Sequence, residues 1–328
     1  MGITNIELVI NIGDRKMYSK SITNSIPVSL LFVLLIIIFC TSKTEIGYLG
    51  QDTPCITPAL FSPDILDDYE NKQSPIFSPD GNSLYITIIT PPRDFSTFFM
   101  QKQNSHWLKP FIPDYFKQNN IRYPFVSPDG KKLFFVIMDS QEESGKIIYN
   151  SDIYTADVIS TGVWGQSQKL GPNVNSNNHE RSPSVTRDGT LYFYSDREGG
   201  MGGIDIYRSL LKEGHYIEPE NLGNKVNSEH NEYNPFISPD ENYLLFNSND
   251  HPDSYGSHDI FISFRKHDGT WTKIKNLGTT VNTASSESKP YVSPDGKYLF
   301  FSSSRNNNLE IFWVNTQIIE ELKTDIFK

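Results

Sequence analysis

Short apolar segments recur along this chain, each closed off by a cluster of Pro, Asp, Gly or Asn, and one of them sets the pattern for the rest. From Pro290 to Arg305 an apolar Pro-Tyr-Val is followed by polar Ser-Pro-Asp-Gly-Lys, then by Tyr-Leu-Phe-Phe, then by serines and an arginine. Pro at the second turn position presets φ, Asp at the third supports the bend, and Gly at the fourth takes the left-handed conformation. The stretch therefore predicts a β-hairpin. Four further copies begin at Pro75, Pro124, Pro183 and Pro235, and the turn aspartates recur as Asp80, Asp129, Asp188, Asp240 and Asp295. A period of about 50 residues fits one four-stranded unit per repeat. Two copies depart from the pattern: Arg187 replaces Pro in a hairpin one residue shorter, where a different turn is expected, and Glu241 replaces Gly. At Glu241 the left-handed conformation costs about 1 kcal/mol.

After each turn the second strand is apolar on both faces. Leu84/Ile86, Leu133/Phe135, Leu191/Phe193, Leu244/Phe246 and Leu299/Phe301 face one way, with Tyr85, Phe134, Tyr192, Leu245 and Phe300 between them. Such a strand must be covered on both sides, which sheets stacked around an axis achieve. A third strand follows in four copies, as Ser151-Asp-Ile-Tyr154, Ile204-Asp-Ile-Tyr207, His258-Asp-Ile-Phe261 and Leu309-Glu-Ile-Phe312. A fourth leads into Lys169-Leu-Gly171, Asn221-Leu-Gly223 and Asn276-Leu-Gly278, and Val-Asn recurs at 174–175, 226–227 and 281–282.

The Ser-Pro-Asp-Gly hairpin, the Asp-Ile-Tyr strand and the Asn-Leu-Gly exit together resemble the WD40-like Pro-Asp repeat of TolB-like β-propellers. The resemblance spans about residues 56–320 of a propeller domain expected over 56–322, with Ile311 to Leu322 fitting a final strand. It implies an all-β propeller of five blades, closed by residues 59–66 as the outer strand of the last blade. A six-bladed ring is the alternative. The family is exported and often joined to a peptidase or peptidoglycan-binding domain, which is not expected after residue 322.

The N-terminus changes this picture. Ile26 to Cys40 is an apolar run preceded by Arg15, Lys16 and Lys20. It is shorter than the roughly 20 residues of a bilayer span and reads as an export signal or anchor over residues 1–40. Translation from Met17 would shorten the long polar lead. Cys40 ends the run in the manner of a lipoprotein signal, although Phe39 stands where a small residue is usual, and is the lipidation candidate. A linker follows over 41–55, and 323–328 form a tail. Two cysteines allow one bridge at most, Cys40–Cys55. The net charge is -10 with no basic run, which excludes a nucleic-acid partner.

Candidate chemistry is sparse. Glu180, Glu232 and Glu287 recur before the first strand of three blades, with His179, His230, Arg181 and Lys289 close by. If that strand lines the axis, these residues reach one mouth of the channel and suit a cation or a polar ligand. Alternatively each Glu holds its own loop. Asp152, Asp205, Asp259 and Glu310 repeat and so read as structural, while Asp250, Asp253 and Asp259, with His251 and His258, are weak metal candidates. Gly199 to Gly203 lacks the strand-to-helix setting of a phosphate cradle. No catalytic residue and no cofactor are expected. The expected function is a non-catalytic module of the cell envelope that binds a protein or glycan and stays monomeric, touching the membrane only through its N-terminal segment. The alternative is a metal-dependent hydrolase or lyase acting on carbohydrate or ester substrates.

Overall fold

In a computed structural model, which describes residues 47–73, 75–90, 94–143 and 146–327 with the short ladder Asn11–Ile12 to Arg15–Lys16, the five repeats form five antiparallel sheets. Residues 26–40, Met17 and Cys40 lie outside the described residues. Each sheet runs outward from the strand ahead of the turn. Blade three pairs Glu180–Val185, Leu191–Ser195, Asp205–Ser209 and Glu220–Asn221 in that order, and blade four pairs Asn231–Ile237, Tyr243–Asn249, His258–Phe264 and Lys275–Asn276. Blade two carries Ile121–Val126 inside and a long hairpin, Lys132–Glu143 with Lys146–Ser160, outside it. Blade one has the full set too, ending in Asp94–Gln103 and His106–Trp107. Its outer half carries no Asp-Ile-Tyr signal, which is why the repeat pattern shows only four third strands.

The ring closes across the chain's ends. Ala59–Leu60 pairs with the third strand of blade five, Leu60 opposite Phe312 and Ala59 opposite Trp313. Phe61 is fully buried there, edge-on to Phe300 and Trp313. Blade five meets blade one through Tyr291, whose hydroxyl accepts from Phe77 N at 3.2 Å and donates to Phe77 O at 3.1 Å. The chain then differs from the sequence reading: the last strand stops at Asn315, and Gln317–Ile326 is a helix. Ile318 and Ile319 are buried, with Leu322 and Ile326 on the same core, an apolar spacing that follows the helical rather than the strand period.

Both faces of each second strand are covered, as the pattern requires: Leu191, Tyr192, Phe193 and Tyr194 are all buried. In the turns, Asp80, Asp129 and Asp295 accept from the serine two residues before and from the backbone amide two residues after. The third turn keeps this design with Thr186 and Thr190, and Gly189 still donates to Thr186 O at 3.1 Å. Only its closing pair differs, Thr186 bonding to Thr190 where Ser293 bonds to Tyr298. The Val-Asn asparagines tie each blade to its exit loop. Asn227 takes Ile206 N at 2.9 Å and gives to Ile206 O at 2.9 Å, and Asn175 and Asn282 do the same for Ile153 and Ile260.

Candidate functional site

Four inner strands break their ladders at the same place. The register shifts between Arg122 and Phe125, Arg181 and Ser184, Tyr233 and Phe236, and Ser288 and Tyr291. In each gap lies the repeat's Pro, which has no N–H for the ladder, so the pair is extruded as a bulge. The residue before it takes a left-handed φ of 50° to 52°: Tyr123, Ser182, Asn234 and Lys289. These four, with Ile76, Tyr85 and Thr87 of blade one, line an axial chamber of about 60 Å³. Their backbone repeats and their side chains do not.

Inside the chamber Ser182 Oγ donates to Asn234 Oδ1 at 2.8 Å, and Asn234 Nδ2 donates to Asn247 Oδ1 at 2.9 Å. Lys289 Nζ stands 4.1 Å from the centre of the Tyr123 ring. Lys289 is half-buried by surface area, and desolvation pushes its amine down to about 7. The Tyr123 hydroxyl and the Arg181 guanidinium both interact with the buried Tyr194 phenol, which burial pushes up. Phe125, Phe236 and Tyr291 form an apolar floor shared with a second cavity of about 170 Å³ on the turn side. Pro79, Pro128, Pro239 and Pro294 ring that second cavity, and Arg187 takes the place of the fifth proline.

The glutamates singled out from the sequence are fully buried, each within its own blade. Glu180 accepts from Ser176 N at 2.9 Å, Ser176 Oγ at 2.6 Å, Ser195 Oγ at 2.9 Å and Arg197 at 3.0 Å. Glu287 has the matching set from Thr283, Ser303 and Arg305. Glu232 has Ser228 and Ser248 but no arginine, because Asp250 occupies that slot, and burial holds its carboxyl above the usual range. Among the described residues no three His, Cys, Asp or Glu side chains gather as a metal group. Asp259 caps the amides of Tyr255 and Gly256, and Asp205 those of Met201 and Gly202. Asp250 accepts from Asn249 at 2.7 Å, while Asp253 is exposed beside His251. Asp152 pairs with Lys169 at 2.7 Å.

His179, Arg181, His230 and His258 are not among the residues that line the chamber. Arg181 Nε donates to Ser151 Oγ at 2.7 Å, and that hydroxyl meets His179 Nδ1 at 3.0 Å. His230 lies 6.0 Å from His251, and His258 6.0 Å from Tyr233, measured between ring centres. Burial pushes the imidazoles of His251 and His258 down from the usual histidine range. Two residues not singled out from the sequence, Met201 and Tyr255, stand at equivalent loop positions on this face and are 45% and 52% exposed. The chamber residues Tyr123, Ser182 and Asn234 were missed as well. Their signal was the changing residue directly ahead of an unchanging Pro.

No protein-family model and no curated protein matches the chain. Solved structures similar to it include a TolB described as putative from Agrobacterium tumefaciens, 20% identical with a TM-score of 0.47 over 71% of this chain and 70% of that one. TolB from Acinetobacter baumannii is 19% identical with a TM-score of 0.42, over 74% and 54%. A family-43 endo-arabinanase from Bacillus licheniformis is 12% identical with a TM-score of 0.44, over 76% and 94%. The chain is a five-bladed β-propeller by its own strand pairing, with a chamber lined by its inner strands.

Proposed function

We propose that the chain is an exported, envelope-associated propeller that works as a non-catalytic binding or scaffolding module, holding a protein or glycan partner on the mouth that carries His179, Arg181, His230 and His258. The observation that carries this reading is the exposure of Met201 and Tyr255 at matching positions of neighbouring blades, four residues ahead of the equivalent Asp205 and Asp259. Large apolar side chains grouped with aromatic and polar neighbours are what interfaces are made from. The charged lead and apolar run ending at Cys40 support export. Among the described residues no helix is long and apolar enough to cross a membrane. The hydrolase or lyase alternative draws on Glu180, Glu232 and Glu287, each of which already takes its hydrogen bonds from its own blade.

A photo-crosslinking amino acid placed at Met201 or Tyr255 in the native envelope tests the reading. Discrete adducts are expected at both positions and not at Asp268, which lies at the opposite end of the third strand. Absence of adducts at both, or equal labelling at Asp268, defeats it.

A further inference from the structure

The axial chamber contains an amine that the surrounding fold does not neutralise. Among the described residues no carboxylate pairs with Lys289, and desolvation is the one cause behind its lowered proton affinity. The Tyr123 ring offers a cation–π contact. Holding an unpaired ammonium out of water costs more than such a contact returns. The fold meets that cost by weakening the amine's hold on its proton, and a negative charge delivered into the chamber would restore it. The protein carries an excess of carboxylates, yet the nearest repeated ones, Glu180, Glu232 and Glu287, are turned into their own loops.

The remaining groups narrow what fits. Asn234 receives Ser182 and gives one amide hydrogen to Asn247, leaving its second amide hydrogen for a ligand in the chamber that it lines. Opposite this polar wall lie Phe125, Phe236 and Tyr291, which favour an apolar tail. A cavity of about 60 Å³ takes several waters at about 10–15 Å³ of probe-occupied space each, which suits an occupant of a few non-hydrogen atoms. The set of one amine, one amide donor and an apolar floor matches a monocarboxylate better than a phosphate, which presents oxygens on every side and would press some of them against the phenyl rings.

We propose that the axial chamber is a binding site for a small monocarboxylate of acetate or propionate size, with its oxygens on Lys289 Nζ and the free amide hydrogen of Asn234 and its alkyl end on the Phe125–Phe236–Tyr291 floor. The site is separate from the rim of the mouth, and neither reading depends on the other.

The test is thermal unfolding of the full chain in sodium propionate, in sodium chloride of the same ionic strength, and in propionamide, which has the same shape without charge. Propionate is expected to raise the melting temperature in a saturable way, and the other two are not. Lys289→Met, an uncharged chain of similar length, is expected to abolish the shift. A second measurement needs no variant: reductive methylation of the wild-type protein with formaldehyde and cyanoborohydride, followed by peptide mass spectrometry. Propionate should slow methylation of Lys289 and leave surface lysines unchanged. A melting temperature that propionate does not move, an equal response to propionamide, an undiminished shift in Lys289→Met, or unprotected methylation of Lys289 would each overturn the proposal.

Discussion

Replacing Glu241 by glycine separates two opposing effects at one residue. Glu241 occupies the turn position that is Gly in the other four repeats, with φ at 60°. Glycine there relieves about 1 kcal/mol of left-handed strain. The carboxylate, however, ties two blades together. Its Oε1 accepts the Tyr192 hydroxyl at 2.5 Å and lies 3.4 Å from Arg208 of blade three, and its Oε2 pairs with Arg265 of blade four. Removing it strands a buried phenol, a loss of about 1–3 kcal/mol. The two arginines are largely screened from solvent and add about 1 kcal/mol between them once partial exposure is discounted. The net expectation is a loss of about 2 kcal/mol, so Glu241→Gly lowers the urea midpoint followed by tryptophan fluorescence. Gly296→Ala calibrates the backbone effect alone, because a Cβ at Gly296, with φ at 73°, meets nothing within 4 Å. It should lose about 1 kcal/mol. If Glu241→Gly proves as stable as the wild type or more so, the inter-blade tie contributes less than the strain and the reasoning fails.

Gly202→Ala should destabilise by about 2 kcal/mol in the same assay, since a Cβ there runs into the His230 carbonyl of the next blade; a neutral result contradicts that close approach. Lys289, with its amine pushed down from 10.5 to about 7, takes up a proton on unfolding between those values, so stability should rise with pH from about 7 to 9, and Lys289→Met should flatten that rise. A matching rise in the variant removes Lys289 as its source. On the binding-module reading, treatment with EDTA leaves the melting temperature unchanged and elemental analysis finds no stoichiometric metal; a metal-linked drop in melting temperature favours the enzyme alternative.

Much of the architecture was legible because turn chemistry repeats. Ser-Pro-Asp-Gly specifies its own hydrogen bonds within a few residues, and the two-sided apolar strands specify cover on both faces, so ring and closure follow from local information. Glu241 was read as a simple violation, since its compensation lies on Arg208 and Arg265, distant in sequence. Blade one's outer strands were hidden because Phe95 to Phe99 replace the Asp-Ile-Tyr signature with a different apolar run. The last helix was taken for strand because Ile311 to Val314 and Ile318 to Ile319 are equally apolar, and only the turn at Thr316 separates them. The chamber escaped notice for another reason. The left-handed residue ahead of the proline is tyrosine, serine, asparagine or lysine in turn, so only the unchanging Pro behind it marks the position.

The pairing of Ala59–Leu60 with Phe312–Trp313 also sets a schedule for the chain. Its partners are separated by about 250 residues, and bringing ends that far apart together costs about 5 kcal/mol of loop entropy. Two residue pairs and a buried Phe61 offset that only once blade five is already formed to receive them. An emerging chain can therefore build its early blades in sequence while residues 59–61 wait, exposed and sticky, for nearly the whole polypeptide to arrive. That wait is the interval in which a holding factor has something to hold, and in which a second molecule's segment 59–61 competes for the same edge.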